Sequence, residues 1–314
     1  MSNLKIVIVI ILIFIISFST FAYFAYTFPT TLGVAEKKFF SHNFTNHEKI
    51  FLLGSSHVGH LNSTYMQQMV NINKKSNFEI FNLASSSDTP TREINISDQI
   101  VKVKPEMIVY GISYRDFRTD NNNNPLPDPK NFFHQLINYR FDTLNTFNPK
   151  LITLTFIRNS IPNSQLPRDE FSFSNSPFYI INSEMAIIAN DEELKNSSVN
   201  KEVSQFNLED PLKNVEVKNI VNLVHKLQQN HIKVVLFLTP LNRHYLDIIP
   251  EKQTLIFNSI ILYIKNETNV PIYNLQDKYA NFPIWQDSSH VAINEKSLIY
   301  SEDVGKIILD ELDS

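Results

Sequence analysis

The chain contains no cysteine, which excludes a disulfide framework, a thiolate nucleophile and any cysteine-ligated metal site. That absence fits an oxidising compartment without requiring one. Glycine is almost as scarce, with 5 in 314 residues. Gly54, Gly59 and Gly111 fall in or beside the segments singled out below, so these positions are expected to need its backbone freedom. No basic stripe occurs in a chain of net charge −4, and nucleic acid is set aside as a partner. Repeats are absent too, and the run Asn121 to Asn124 is the one low-complexity tract.

What is present is enough for one full core. A hydrophobic content of 43% over 314 residues argues against disorder and for a single catalytic-sized domain with an insertion. At the amino end, Ile6 to Phe28 is a run of 23 residues without a charge. As a helix it would extend about 34 Å at about 1.5 Å per residue, enough to cross a hydrocarbon core of about 30 Å. It reads as a membrane span or a signal peptide. Thr20-Phe21-Ala22 is a poor cleavage site, and the aromatic-rich Phe21 to Tyr26 suits a membrane interface, so an uncleaved anchor over residues 1–28 is expected. Lys5 before the span and Lys37 and Lys38 after it decide orientation only weakly. Residues 29–48 read as a linker broken by Pro29 and Gly33.

The stretch around which the remaining chain is organised is Lys49 to Asn62. An apolar run, Ile50 to Leu53, stops at Gly54 and hands over through Ser55 and Ser56 to a helix-compatible segment. A reactive group there would stand at the carboxyl edge of a sheet. Leu61 to Val70 is expected as a helix with Leu61, Tyr65 and Met69 on one face. Phe78 to Leu83 is the second strand, and Thr89 and Pro90 start a helix. Met107 to Tyr110 is the third strand, ending at Gly111. After an irregular insertion at about residues 117–207, which includes a strand at Leu151 to Ile157, a helix is expected over Pro211 to Asn230. Its apolar face would be Leu212, Val215, Val221, Val224 and Leu227. Ile232 to Leu238 is the fourth strand, a helix follows near Lys252 to Ile264 and a short strand at Pro271 to Tyr273, and Ile293 to Leu312 closes the chain. Alternation of this kind implies βαβ units and a mainly parallel α/β sheet. The insertion follows a strand's carboxyl end and is a candidate lid or partner-docking surface.

A serine needs a base and an orienting carboxylate to become nucleophilic. Asp287 stands three residues before His290, ahead of the last helix. With Gly54-Ser55-Ser56 near the start and Asp287-x-x-His290 near the end, the chain resembles the SGNH (GDSL-like) hydrolase superfamily. Its first block is Gly-Asp-Ser and its last Asp-x-x-His. Ser55 in place of Asp resembles the envelope acyl-transfer branches, including the D-alanyl transfer and alginate acetylation proteins. The resemblance covers about half the chain, roughly residues 49–111 and 232–312. It implies a flavodoxin-like three-layer α/β/α fold, with Ser56 as nucleophile, His290 as base and Asp287 as the residue that orients it. It also implies oxyanion donors in two middle blocks. Ser87 falls at the block-two glycine and retains its N–H. Ser113, in Gly111-Ile112-Ser113-Tyr114, stands where the block-three Asn side chain would donate, although it reads equally as the start of a loop. Arg243, after the fourth strand, is a candidate for steering an anionic or sugar ligand or, equally, for structural support. His57 and His60 flank the nucleophile, but no carboxylate cluster or third His lies nearby, so a surface or capping role is expected and no metal or cofactor is implied.

Two function classes remain open. The first is a membrane-anchored extracytoplasmic esterase or O-acyltransferase acting on acyl esters of envelope glycans, beside a membrane-bound O-acyltransferase as acyl donor. The second is a degenerate SGNH domain that binds a glycan or a membrane partner without turnover, suggested by the missing glycine and asparagine of the middle blocks. Fold cannot choose between them.

Overall fold

The computed structural model describes residues 34–42, 44, 47–86, 88–119, 175–179, 181–199 and 206–314. The expected anchor, most of the linker and the expected strand Leu151 to Ile157 lie outside the described residues. Among the described residues no helix is long and apolar enough to cross a membrane. The chain divides into two units, residues 1–41 and 42–314. Of the first, one helix is described, α1 (Val34–Phe40), in which Phe39 and Phe40 meet edge to face.

The second unit is built on five strands, β1 (Lys49–Leu53), β2 (Glu79–Asn82), β3 (Met107–Ile112), β4 (Lys233–Leu238) and β5 (Ile272–Asn274), in the order β2-β1-β3-β4-β5. Every pairing between them is parallel. The central strands read as unbroken apolar runs because both faces of a parallel sheet are covered; β1 and β3 are buried at every position. The covering helices are α3 (Ser63–Lys74), α4 (Pro90–Val103), α6 (Val215–Gln229), α8 (Glu251–Thr268) and α9 (Leu298–Asp313), while the short helices α2 (Ser56–Gly59), α5 (Asp191–Val199) and α7 (Arg243–Ile248) lie in connections. α3 packs with α9, and α6 packs with both α4 and α8. These two sets cover opposite faces, as right-handed crossovers in this strand order require. The result is a three-layer α/β/α architecture with flavodoxin-like strand order, and its order reverses between β1 and β3.

Several boundaries differ from the sequence expectation. β3 runs through Gly111 to Ile112, because pairing with β4 continues to the Ile112–Leu238 position. α6 starts at Val215, since Asn214 accepts from the Glu216 and Val217 N–H groups with its side chain. That leaves Leu212 and Val215 exposed. α3 starts at Ser63 and buries Ser63, Met66 and Val70; Leu61 is buried just ahead of it, while Tyr65 and Met69 are half-buried beside that face. A helix at α7 was not expected, and the last helix begins only at Leu298.

Glycine scarcity has a visible consequence. α3, α4 and α8 end on Lys75, Lys104 and Asn269 in the left-handed region at φ of 51°, 52° and 53°, where glycine is commonest. Gly54 is the described glycine with positive φ, at 133°. A Cβ there would lie 2.7 Å from the Gly111 carbonyl oxygen and 2.8 Å from Val58 Cγ2. It makes the strand-to-helix turn and lets Val58 pack onto the sheet. Gly54→Ala is therefore expected to cost about 2 kcal/mol or more, from backbone strain plus the clash, read as a lowered urea midpoint. A variant as stable as the parent would contradict this turn.

Candidate active site

Ser56 is the first residue of α2, directly beyond β1, and Ser113 follows β3, so both stand at the carboxyl ends of the two strands between which the order reverses. Crevices in open α/β sheets lie there. α2 is short and needs outside support. The Ser55 carbonyl accepts from the Val58 and Gly59 N–H groups at 3.0 and 3.1 Å. At its other end the buried Asn82, the last residue of β2, donates through Nδ2 to the Val58 and Leu61 carbonyls at 2.8 and 3.2 Å. Asn82 thus satisfies carbonyls that a single helical turn leaves open.

The second half of the site is a loop rooted on Trp285, the chain's one tryptophan. Its indole is fully buried, its Nε1–H donates to the Tyr279 carbonyl at 3.0 Å, and an antiparallel bridge joins Trp285 to Val291. Between them Asp287 folds the loop about its own carboxylate. Oδ1 accepts from the Ser289 N–H at 2.7 Å, the His290 N–H at 2.9 Å and the Ser289 hydroxyl at 3.0 Å. This is the local side-chain-to-backbone bonding for which Asp is suited.

The two halves meet across 234 positions of sequence: Ser56 Oγ lies 2.8 Å from His290 Nε2. His290 Nδ1 lies 2.9 Å from Asp287 Oδ2. With the carboxylate at Nδ1, that nitrogen carries the proton and Nε2 accepts from the serine hydroxyl. Such an arrangement can take a proton from Ser56 and return it to a leaving group, with Asp287 holding the tautomer and stabilising the charged ring. Ser56 itself is only 9% exposed.

Beside this chain of bonds is a cavity of about 230 Å³ lined by residues that include His57, Ser113, Arg115, Tyr245, Asp287 and His290. Ser56 is not among its lining residues and lies one hydrogen bond beyond, on His290. Ser113 is buried, and its backbone N–H is taken by Asp116 Oδ2 at 2.6 Å, leaving the hydroxyl as its remaining donor. Ser87 lies outside the described residues. Arg243 is exposed at the start of α7, where its Nε–H donates to Asn281 Oδ1 at 3.4 Å. It does not line the cavity, whereas Arg115 does. His57 and His60 are buried rather than at the surface, with ring centroids 4.8 and 5.1 Å from that of His290. Among the described residues no group of three or more His, Asp or Glu could hold a metal ion.

The described end of the insertion buttresses the Trp285–Val291 loop. The Ala189 N–H donates to the Trp285 carbonyl at 2.8 Å, the Ile293 N–H to the Met185 carbonyl at 2.7 Å, and Ser197 Oγ lies 3.1 Å from Ser288 Oγ. Sequence reasoning missed the supporting roles of Asn82 and Ser289, the burial of His60 and Asp116, and the place of Arg115 in the cavity wall. A signal existed for Ser289 alone, since Asp-x-Ser or Asp-Ser-x patterns favour turns that bond back to the carboxylate.

No family model matches the chain, and no curated protein matches its sequence. Several solved structures are similar. The acetyl xylan esterase AlAXEase has a TM-score of 0.43 and 12% identity, covering 84% of this chain and 99% of its own. The psychrotrophic esterase EstA from Pseudoalteromonas sp., solved with monoethylphosphonate as inhibitor, has a TM-score of 0.42 and 11% identity, covering 85% and 100%. A lipase/acylhydrolase from Enterococcus faecalis has a TM-score of 0.40 and 12% identity, covering 84% and 95%.

Beneath Ser113 lies a second, unexpected set of acids. Asp88, Glu93, Asp116 and Glu216 are all buried, with Arg92 paired to Asp88. Burial pushes the Asp116 carboxyl up to about 7, opposed by the Ser113 N–H and reinforced by Asp88. A raised folded-state value means that the folded chain holds the extra proton between about pH 4 and 7. Stability is therefore lost as pH rises through that window, a penalty on the order of 2 to 4 kcal/mol once Asp116 is ionised. Asp116→Asn removes the ionisation, so its stability relative to the parent should increase from pH 5 to pH 8. Urea unfolding at the two values checks this, and an unchanged difference would overturn it.

Proposed function

We propose that the chain is an SGNH-type serine ester hydrolase or O-acyltransferase. The observation that carries this reading is the bonded sequence Ser56 Oγ, His290 Nε2, His290 Nδ1, Asp287 Oδ2, with distances of 2.8 and 2.9 Å, at the reversal of strand order. Ser56 attacks the ester carbonyl as His290 takes its proton. The alcohol leaves with that proton, and the acyl-enzyme is then attacked by water or by a second hydroxyl. Ser113, and Ser87 by its N–H, are assigned to the oxyanion together with the Ser56 N–H.

The cavity lends support to a substrate class. Its volume is below the range of about 300–1,000 Å³ usual for drug-sized ligands, and serine, tyrosine and arginine side chains line it. These features favour a small acyl group on a hydroxylated carrier, and we assign acyl esters of envelope glycans. The uncharged run Ile6 to Phe28 supports a single-pass anchor with the domain outside the membrane, near a membrane-bound O-acyltransferase.

Ser56→Ala should abolish both p-nitrophenyl acetate turnover and fluorophosphonate labelling while the fold is kept. His290→Ala should be almost as damaging, and Asp287→Ala less so, with the double variant Ser56→Ala/His290→Ala hardly worse than Ser56→Ala. Equal turnover by Ser56→Ala and the parent would refute the assignment, and a folded parent that neither labels nor turns over would favour the binding module.

For the anchor, removal of residues 1–30 should release a folded domain into the aqueous fraction. Persistence of the truncated protein in membranes after a high-salt wash would count against the span.

A further inference from the structure

We propose that His60 and Tyr179 form a positioning pair for His290, so that a residue from the long insertion completes the reactive site. The inference rests on Ser56 and His290 acting as nucleophile and base. His60 stacks on His290 with ring centroids 5.1 Å apart and planes inclined by 30°. Its Nδ1–H donates at 2.5 Å to the carbonyl of Val291, the residue after the base. Its Nε2 accepts from the Tyr179 hydroxyl at 2.9 Å. A shift of His290 in either direction along its loop would break the first bond, and a rotation of His60 would break both.

Tyr179 reaches this position only because residue 59 is glycine: a Cβ there would lie 2.6 Å from the tyrosine ring. The start of the same segment is fixed to the sheet edge. The Asn82 N–H donates to the Asn175 carbonyl at 2.8 Å, and Asn175 Nδ2 donates to Gln67 Oε1 at 2.9 Å. Residues 175–179 therefore bind β2, α3 and α2 at once.

The pair also has an electrostatic role. When Ser56 gives up its proton, His290 becomes cationic, and a second charge at His60 would oppose it. Burial first, and His290 second, hold the His60 imidazole down to about 4, so it stays neutral at neutral pH. The titratable groups around it are His290 and Asp287 from the loop, Tyr179 from the insertion and His57 from its own helix. The Tyr179 hydroxyl, by donating to Nε2, favours the neutral ring, so its loss moves the His60 midpoint upward and makes a charge beside the base easier to form at pH 6 than at pH 8.

The test uses the full chain in detergent, with Tyr179→Phe and Gly59→Ala, each followed by histidine NMR titration and by p-nitrophenyl acetate turnover at pH 6 and 8. Tyr179→Phe should raise the His60 midpoint and lower kcat about threefold to tenfold at pH 6, the size of one lost buried hydrogen bond, with a smaller loss at pH 8 and KM unchanged. Gly59→Ala should reproduce this pattern by displacing the ring. If the parent turns over and Tyr179→Phe matches it at both pH values, the positioning role is overturned while the assignment of Ser56 stands. If the parent neither turns over p-nitrophenyl acetate nor labels with a fluorophosphonate, the assignment of Ser56 fails and the positioning role falls with it, an outcome distinct from a parent whose turnover Tyr179→Phe leaves unchanged.

Discussion

Two adjacent parallel strands cannot be joined by a tight turn, and most of this structure follows from that constraint. Each crossover needs a segment long enough to return along the sheet, and its helix covers a face while doing so. All strands consequently finish at one edge, and the reversal between β1 and β3 leaves that edge open where Ser56 and Ser113 stand. Every group that meets at the site arrives from a connection leaving this edge. The sheet supplies the rigidity, and loops supply the chemistry.

Short connections are poor at holding side chains still, and polar groups of the scaffold compensate. Asn82 ties down α2 from a neighbouring strand. Asp287 folds its loop with one carboxylate oxygen and presents the other to His290, so the group that bonds the imidazole also builds the turn that carries it. Trp285 fixes that turn to the core, and residues 181–199 of the insertion bond to its outer side. The described part of the insertion buttresses the Trp285–Val291 loop.

Burial sets the electrostatic character of the region. The His57 and His60 rings lie 4.8 and 5.1 Å from the His290 ring, and a cluster of carboxyl groups sits below Ser113. A buried group that cannot be solvated shifts toward its neutral form, and His60 and Asp116 move in opposite directions for this same reason. Such groups reduce stability at one end of the pH range or the other. They recur at sites where charge must appear during a reaction, since a neutral, preorganised surround leaves the reacting ring as the place where charge develops.

Periodicity and turn chemistry in the sequence were enough to determine the strands Ile50 to Leu53, Met107 to Tyr110 and Ile232 to Leu238, their parallel arrangement, and the glycine-broken turn that starts at Gly54. These depend on near neighbours in the chain, where apolar runs and residue spacing carry the information. Gly54-Ser55-Ser56 and Asp287-x-x-His290 were also legible as local pieces. Their separation in space was not, because a 2.8 Å contact between positions 56 and 290 follows from strand order and crossover hand. Tertiary structure alone decided that His57 and His60 turn inward around His290, that Arg115 rather than Arg243 lines the cavity, and that Asp116 is buried beneath Ser113. Burial of a polar side chain depends on which distant segments cover it, and no spacing within a single segment records that.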